Sequence, residues 1–119
     1  VVALRNKAPL KLPDSYLLQL EDSNGGEGDL AVNPGWIAFW PAEDVITWNA
    51  EYEVDKFLPG FFGFGSNGGG ELFAFDLRRG DPYPIVMVPF IPIDPRQAVQ
   101  IANSFDELRE FIGTPLKET

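Results

Sequence analysis

The chain has 119 residues, eighteen acidic against nine basic, a net charge of −9, and neither histidine nor cysteine. Those counts exclude disulfides, a thiolate nucleophile, an imidazole base and any histidine metal site. The acidity repels phosphate backbones and so speaks against direct nucleic-acid binding.

The length fits a single domain over 1–119 with one hydrophobic core. An acidic surface either serves solubility or attracts a basic partner and speeds the encounter. No run of eighteen apolar residues exists, so no transmembrane helix is expected. The lack of cysteine is compatible with a cytoplasmic location. "VVALRNKAPLKLP" is too short and too interrupted for a secretory signal, and the chain is expected to be trimmed or short at this end.

Over 11–26, Tyr16, Leu17 and Leu20 recur at helical spacing; Pro13 suits the first turn, and Asn24, Gly25 and Gly26 stop the helix. Residues 28–32 and 35–40 read as short strands around "NPG". The period then changes, predicting a second helix over 41–54. Pro41 stands at its first position, Glu43 and Asp44 in its first turn, and Val45, Trp48 or Asn49, and Tyr52 on one face. Residues 57–65 and 71–77 are strand-like, and alternation puts Phe73, Phe75 and Leu77 on the core side of the second. Residues 78–84 form a turn, 85–89 a central strand buried on both faces, and 96–102 a further alternating strand.

"SFDELREFIG" (104–113) begins with a capping box, Ser104 with Glu107, and carries a stripe of Phe105, Leu108 and Ile112. Gly113 and Pro115 end it. The strands between 61 and 102 are joined by connections too short for helical crossovers, so the sheet should be mainly antiparallel. The fold class is α+β: a twisted sheet packed with about three helices.

"GFGSNGGG" (63–70) contains G-x-G-x-x-G at Gly63, Gly65 and Gly68. A dinucleotide loop leads into a helix, whereas here a strand follows. A kinase-type loop needs a lysine on the next strand, and none occurs between Gly70 and Lys117. The run instead reads as a turn between two aromatic strands, with Asn-Gly supplying positive φ at both central positions and the surplus glycine a bulge or longer loop. "EDSNGGEGD" (21–29) lacks the spacing of a calcium loop and reads as a solvated acidic loop. No cofactor or metal is expected. Trp36, Trp40 and Trp48 read as core or interface aromatics, or as a ligand platform.

Taken in order, 12–26, 35–52, 61–89 and 102–112 resemble the SUKH superfamily, the Smi/Knr-type group of bacterial immunity proteins and fungal cell-wall regulators. The most specific parts are Leu12-Pro13 with Tyr16, Asn24-Gly25-Gly26, the run Gly69–Asp76, Pro84 and Ser104-Phe105. The resemblance covers roughly residues 10–113. It implies a domain that acts by binding, not catalysis. Bacterial members neutralise a cognate polymorphic toxin, often a nuclease or nucleic-acid deaminase; fungal members look like hubs for signalling partners. Members usually carry a further helix before the Leu-Pro pair, where this chain has only about a dozen residues.

The expected partner is accordingly a basic toxin domain, with no direct nucleic acid and no membrane, and the chain a monomer or weak dimer. The contact surface is expected on the second helix, at Glu43, Asp44, Glu51, Glu53 and Asp55, with Trp48. The loop acids Glu21, Asp22, Glu27 and Asp29 are a second candidate, and an ordinary solvated face is the competing reading. A scaffold domain, or a small-molecule sensor or enzyme with an aromatic pocket, are the alternatives.

Overall fold

A computed structural model describes residues 2–117. A short helix α1 (Val2–Lys7) precedes the Leu12-Pro13 pair, at the place where the sequence reading expected the chain to be short of one. Helix α2 (Asp14–Asp22) starts one residue after Pro13, which holds the N-cap position rather than a place within the first turn. Tyr16, Leu17 and Leu20 are its buried residues, as their spacing predicts.

Strands β1 (Glu27–Asp29) and β2 (Trp36–Phe39) form the first hairpin. Both fall short of the predicted 28–32 and 35–40. Leu30 and Ala31 leave β2 to meet the C-terminal segment: Leu30 bridges Ile112, and the Ala31 N–H donates to the Phe111 carbonyl at 2.8 Å.

The single helix predicted over 41–54 is two, α3 (Val45–Glu51) and α4 (Val54–Phe57). Pro41 is not the first helical residue; it opens a turn closed by the Asp44 N–H on the Pro41 carbonyl. The helix breaks at Glu53, which sits at φ 54. Burial supplies the reason. Val45 and Val54 are both buried, yet at 3.6 residues per turn they would lie roughly 180° apart on one continuous helix. The chain must turn between them.

Strands β3 (Phe61–Ser66), β4 (Glu71–Asp76), β5 (Ile85–Pro89) and β6 (Val99–Ala102) complete a six-stranded sheet in the order β1-β2-β3-β4-β5-β6, every neighbouring pair antiparallel. Residue 57 belongs to α4, so β3 starts later than predicted. The first half of the predicted strand 96–102 is a 3-10 turn, Pro95–Gln97, whose Arg96 N–H donates to the Asp94 carboxylate.

Helix α5 (Phe105–Phe111) follows β6. Ser104 Oγ accepts from the Glu107 N–H at 3.1 Å, the first half of the predicted capping box. The second half is displaced by one residue: the Glu107 carboxylate accepts from the N–H of Asn103, not of Ser104.

One face of the sheet packs under α2 and α5. Tyr16 and Phe105 lie edge-on to each other, 5.3 Å between ring centroids, and both meet Phe64 and Phe75. Predicted as half-buried, β4 is covered on both faces. Leu72 and Ala74, register partners of Val88 and Val86, are as buried as Phe73 and Phe75. Trp40 and the α3–α4 segment cover this second face. Asp76, buried at the end of β4, holds its charge by a two-pronged bond to Arg78, 3.0 Å at each prong. That pairing keeps its carboxyl below the usual carboxylate range.

The glycine segment divides into two parts. Gly63 and Gly65 lie within β3 on either side of a β-bulge. A Cβ on Gly65 would stand 2.7 Å from the Ala38 carbonyl oxygen, so β2 and β3 come this close only with glycine there. The connection to β4 is not the Asn-Gly turn predicted. Gly68 alone takes positive φ, and Asn67 Oδ1 organises the loop by accepting from the N–H groups of Gly69 and Glu71.

Candidate interaction surface

Two asparagines set where α3 lies. Beyond β2 the chain turns away, leaving the N–H and C=O of Gly63 without a strand partner. Asn49 on α3 supplies both bonds: its Nδ2 donates to the Gly63 carbonyl and its Oδ1 accepts from the Gly63 N–H, each at 2.8 Å. A primary amide thus stands in for a missing peptide group. Asn24, read from sequence only as a helix stop, holds the other end. Its Oδ1 accepts from the Ala42 N–H at 2.7 Å and its Nδ2 donates to Glu43 at 2.8 Å. That bond keeps the Glu43 carboxyl below the ordinary carboxylate range.

From this anchored helix a file of aromatic rings leads outward. Trp40, buried, packs edge-on with half-buried Trp48 at 5.5 Å and stacks with Tyr52 at 5.7 Å; Tyr52 meets Phe90 at 4.9 Å. Trp36 stands apart, exposed on β2 beside Gly68. The file ends in an open groove of about 350 Å³ bounded by Glu51, Tyr52, Phe57, Phe90, Ile91 and Ile93. Its apolar members reach solvent: Tyr52 is 43% exposed, Phe57 42% and Ile91 92%.

The sequence-predicted acids divide by position. Glu51, Glu53 and Asp55 are exposed where α3 meets α4; Glu51 lines the groove, and Asp55 lines a separate opening with Lys7 and Phe62. Glu53 pairs with Lys56 at 3.5 Å. Glu43 and Asp44 lie at the opposite end of α3, where Asp44 holds the N-cap position without capping through its side chain. Glu27 and Asp29 belong to β1, the former exposed and the latter half-buried, apart from the groove. Glu21 and Asp22 are exposed at the end of α2. Trp48 stands within the aromatic file rather than on the acidic rim.

Sequence reasoning did not mark Phe57, Phe90, Ile91 or Ile93 as surface. A signal was present: "PFIPIDP" is an apolar run whose prolines bar it from a central strand, so its side chains lack a sheet face to bury them.

A larger opening, about 570 Å³, lies on the other side of the sheet among Val32, Pro34, Glu71, Met87, Val99 and Ile101. Met87 and Val99 are register neighbours of Phe73, whereas Trp40 sits against Gly63 and Leu72, so the two openings occupy opposite faces. Size favours this second opening, but Glu51, one of the acids predicted to meet a partner, lines the smaller one. Among the described residues no helix is long and apolar enough to cross a membrane.

No curated protein matches the chain. Residues 1–110 match the model of the SMI1 / KNR4 family (SUKH-1). That match takes in the Asn24 and Asn49 anchors, the aromatic file and the last helix from its Ser104 cap to Glu110, and the chain belongs to this family.

Proposed function

We propose that the chain is a single-domain, non-catalytic immunity protein that binds a cognate polymorphic toxin and neutralises it in the cytoplasm. Membership of the SMI1 / KNR4 family carries the reading. The charge gives it a mechanism. A nuclease or nucleic-acid deaminase must hold phosphates and so presents a basic site. An acidic protein covers such a site and reaches it quickly through electrostatic steering. Glu51, Glu53 and Asp55 are the primary contact acids. Glu43, Asp44 and Trp48 extend the surface along α3, and Glu27 and Asp29 form the second candidate patch. The partner is a basic protein domain rather than nucleic acid, membrane or cofactor, and the chain is a monomer or weak dimer.

Co-expression with the product of the adjacent open reading frame tests this reading. The expected outcome is rescue of growth and a stable complex. A neighbour that is harmless alone, or toxic but neither bound nor neutralised, removes the immunity role and favours a scaffold domain.

A further inference from the structure

We infer that the groove between Tyr52, Phe57, Phe90 and Ile93, with Ile91 at its lip, receives an apolar side chain projecting from a lysine- or arginine-bearing surface of a protein partner. The inference rests on the proposed function for the identity of that partner, and on the groove itself for the chemistry.

Three observations carry it. First, the apolar surface is contiguous. Isolated exposed apolar residues are ordinary, whereas a joined patch marks a contact site. Ile91 projects almost fully into solvent beside Tyr52 and Phe57, which are themselves more than two-fifths exposed.

Second, the floor is preorganised. Tyr52 stacks on buried Trp40 and touches Phe90, and α3 is bolted to β3 through Asn49. Rings already held in place lose little freedom on binding, as aromatic anchors at interface centres require.

Third, the one charged side chain that lines the groove is acidic. Glu51 lines the groove, with Glu53 and Asp55 following on the same chain segment. Lys56, whose ammonium lies 5.2 Å from the centre of the Phe57 ring, is paired with Glu53 at 3.5 Å. Glu51 and Asp55 form no ion pair among the described residues.

The same charges argue against the other occupants. A second copy docking the same face around a two-fold axis would bring Glu51 toward its own counterpart, in a chain of net charge −9. An anionic lipid surface is repelled for the same reason.

The test uses the full chain and three synthetic peptides, followed by ¹⁵N–¹H correlation spectra. One peptide carries a phenylalanine flanked by lysines and arginines, one the same phenylalanine flanked by glutamates, and one the basic residues with alanine replacing phenylalanine. The basic phenylalanine peptide is expected to shift the amides of Tyr52, Phe57, Ile91 and Ile93. The other two peptides should bind at least about tenfold more weakly, as should the first peptide to Ile91→Ser or Glu51→Lys, the loss typical of an anchor or a facing charge. Val99→Ser, in the larger opening, should bind as wild type. Preserved spectral dispersion verifies that each variant is folded.

Shifts centred on Met87 and Val99, equal binding of the acidic peptide, or no shift with any peptide at millimolar concentration would overturn the assignment. So would a dimer in sedimentation equilibrium that Ile91→Ser dissolves, which would give the face to a second copy. The peptides need no toxin, so the two readings fail separately. Rescue by the neighbouring gene pair that survives Ile91→Ser and Glu51→Lys discards the groove and keeps the immunity role. Peptide binding without rescue keeps the groove and discards the role.

Discussion

The molecule contains two aromatic clusters built from the same residue types with opposite outcomes. Under α2 and α5, Tyr16, Phe64, Phe75 and Phe105 are each 1% exposed or less. On the other face, Trp40, Trp48, Tyr52 and Phe90 run from a buried ring to an exposed groove. The first cluster closes on itself because two helices cover it. The second stays open because α4 is a single turn and the segment after β5 is rich in proline, so neither can lie across it. Aromatic content alone therefore says little about role; what covers the rings decides it.

The largest effects that could break this division belong to the closed cluster. Phe64 meets Tyr16, Phe39, Phe73, Phe75 and Phe105 with ring centroids 4.6 to 6.4 Å apart. Phe64→Ala is expected to cost about 3–5 kcal/mol in urea unfolding, through lost burial and a residual cavity. A loss under 1 kcal/mol would mean that this cluster is not the stabilising core.

Next comes the tie between the two faces. Asn49→Ala removes both bonds to Gly63 and leaves a backbone N–H and C=O without partners. The expected cost is about 2–3 kcal/mol, with faster amide exchange at Gly63. Asn49→Asp keeps an acceptor for the N–H but places a carboxylate against the Gly63 carbonyl, and should be no better than alanine. Wild-type stability in both variants would detach α3 from the sheet and leave the groove floor unsupported.

A smaller effect of opposite sign sits inside the closed cluster. The Tyr16 hydroxyl is buried with no hydrogen-bond partner among the described residues, and burial pushes the phenol pKa up. Tyr16→Phe removes an uncompensated polar group and keeps the ring contacts. It is expected to raise stability by about 1 kcal/mol. A destabilised variant would show that the hydroxyl has a partner in solution.

How much of this was legible in the sequence follows from the range of the forces involved. Local signals were readable: the helical spacing of Tyr16, Leu17 and Leu20, the Ser104 cap, the Gly113 stop and the alternation of β4 all act within a few residues. The α+β class and the antiparallel order came from short connections. The break at Glu53 was not readable, because it depends on Val45 and Val54 being buried in different directions. Covering both faces of β4 likewise depends on where α3 packs, which Asn49 settles from 14 residues away. The acids were visible by type, but composition does not give position: Glu51 borders the groove, while Glu43 is drawn to Asn24 at the far end of the helix. Ile91, which no local pattern placed, is almost wholly in solvent.

That last residue gives the smallest stability effect and the sharpest separation. Ile91 is 92% exposed, so replacing it removes almost no buried area. Ile91→Ser should therefore change stability by no more than about 0.5 kcal/mol, and the melting temperature accordingly little. An apolar side chain kept in solvent without a folding role is consistent with a role in contact. A substantial loss of stability would mean that Ile91 packs in solution against Tyr52 and Phe57, closing the groove as α2 and α5 close the other cluster. The difference between the two aromatic regions would then be one of degree. A neutral change in stability together with weaker binding of the basic phenylalanine peptide would instead separate them by function: one cluster holds the fold, and the other meets the partner.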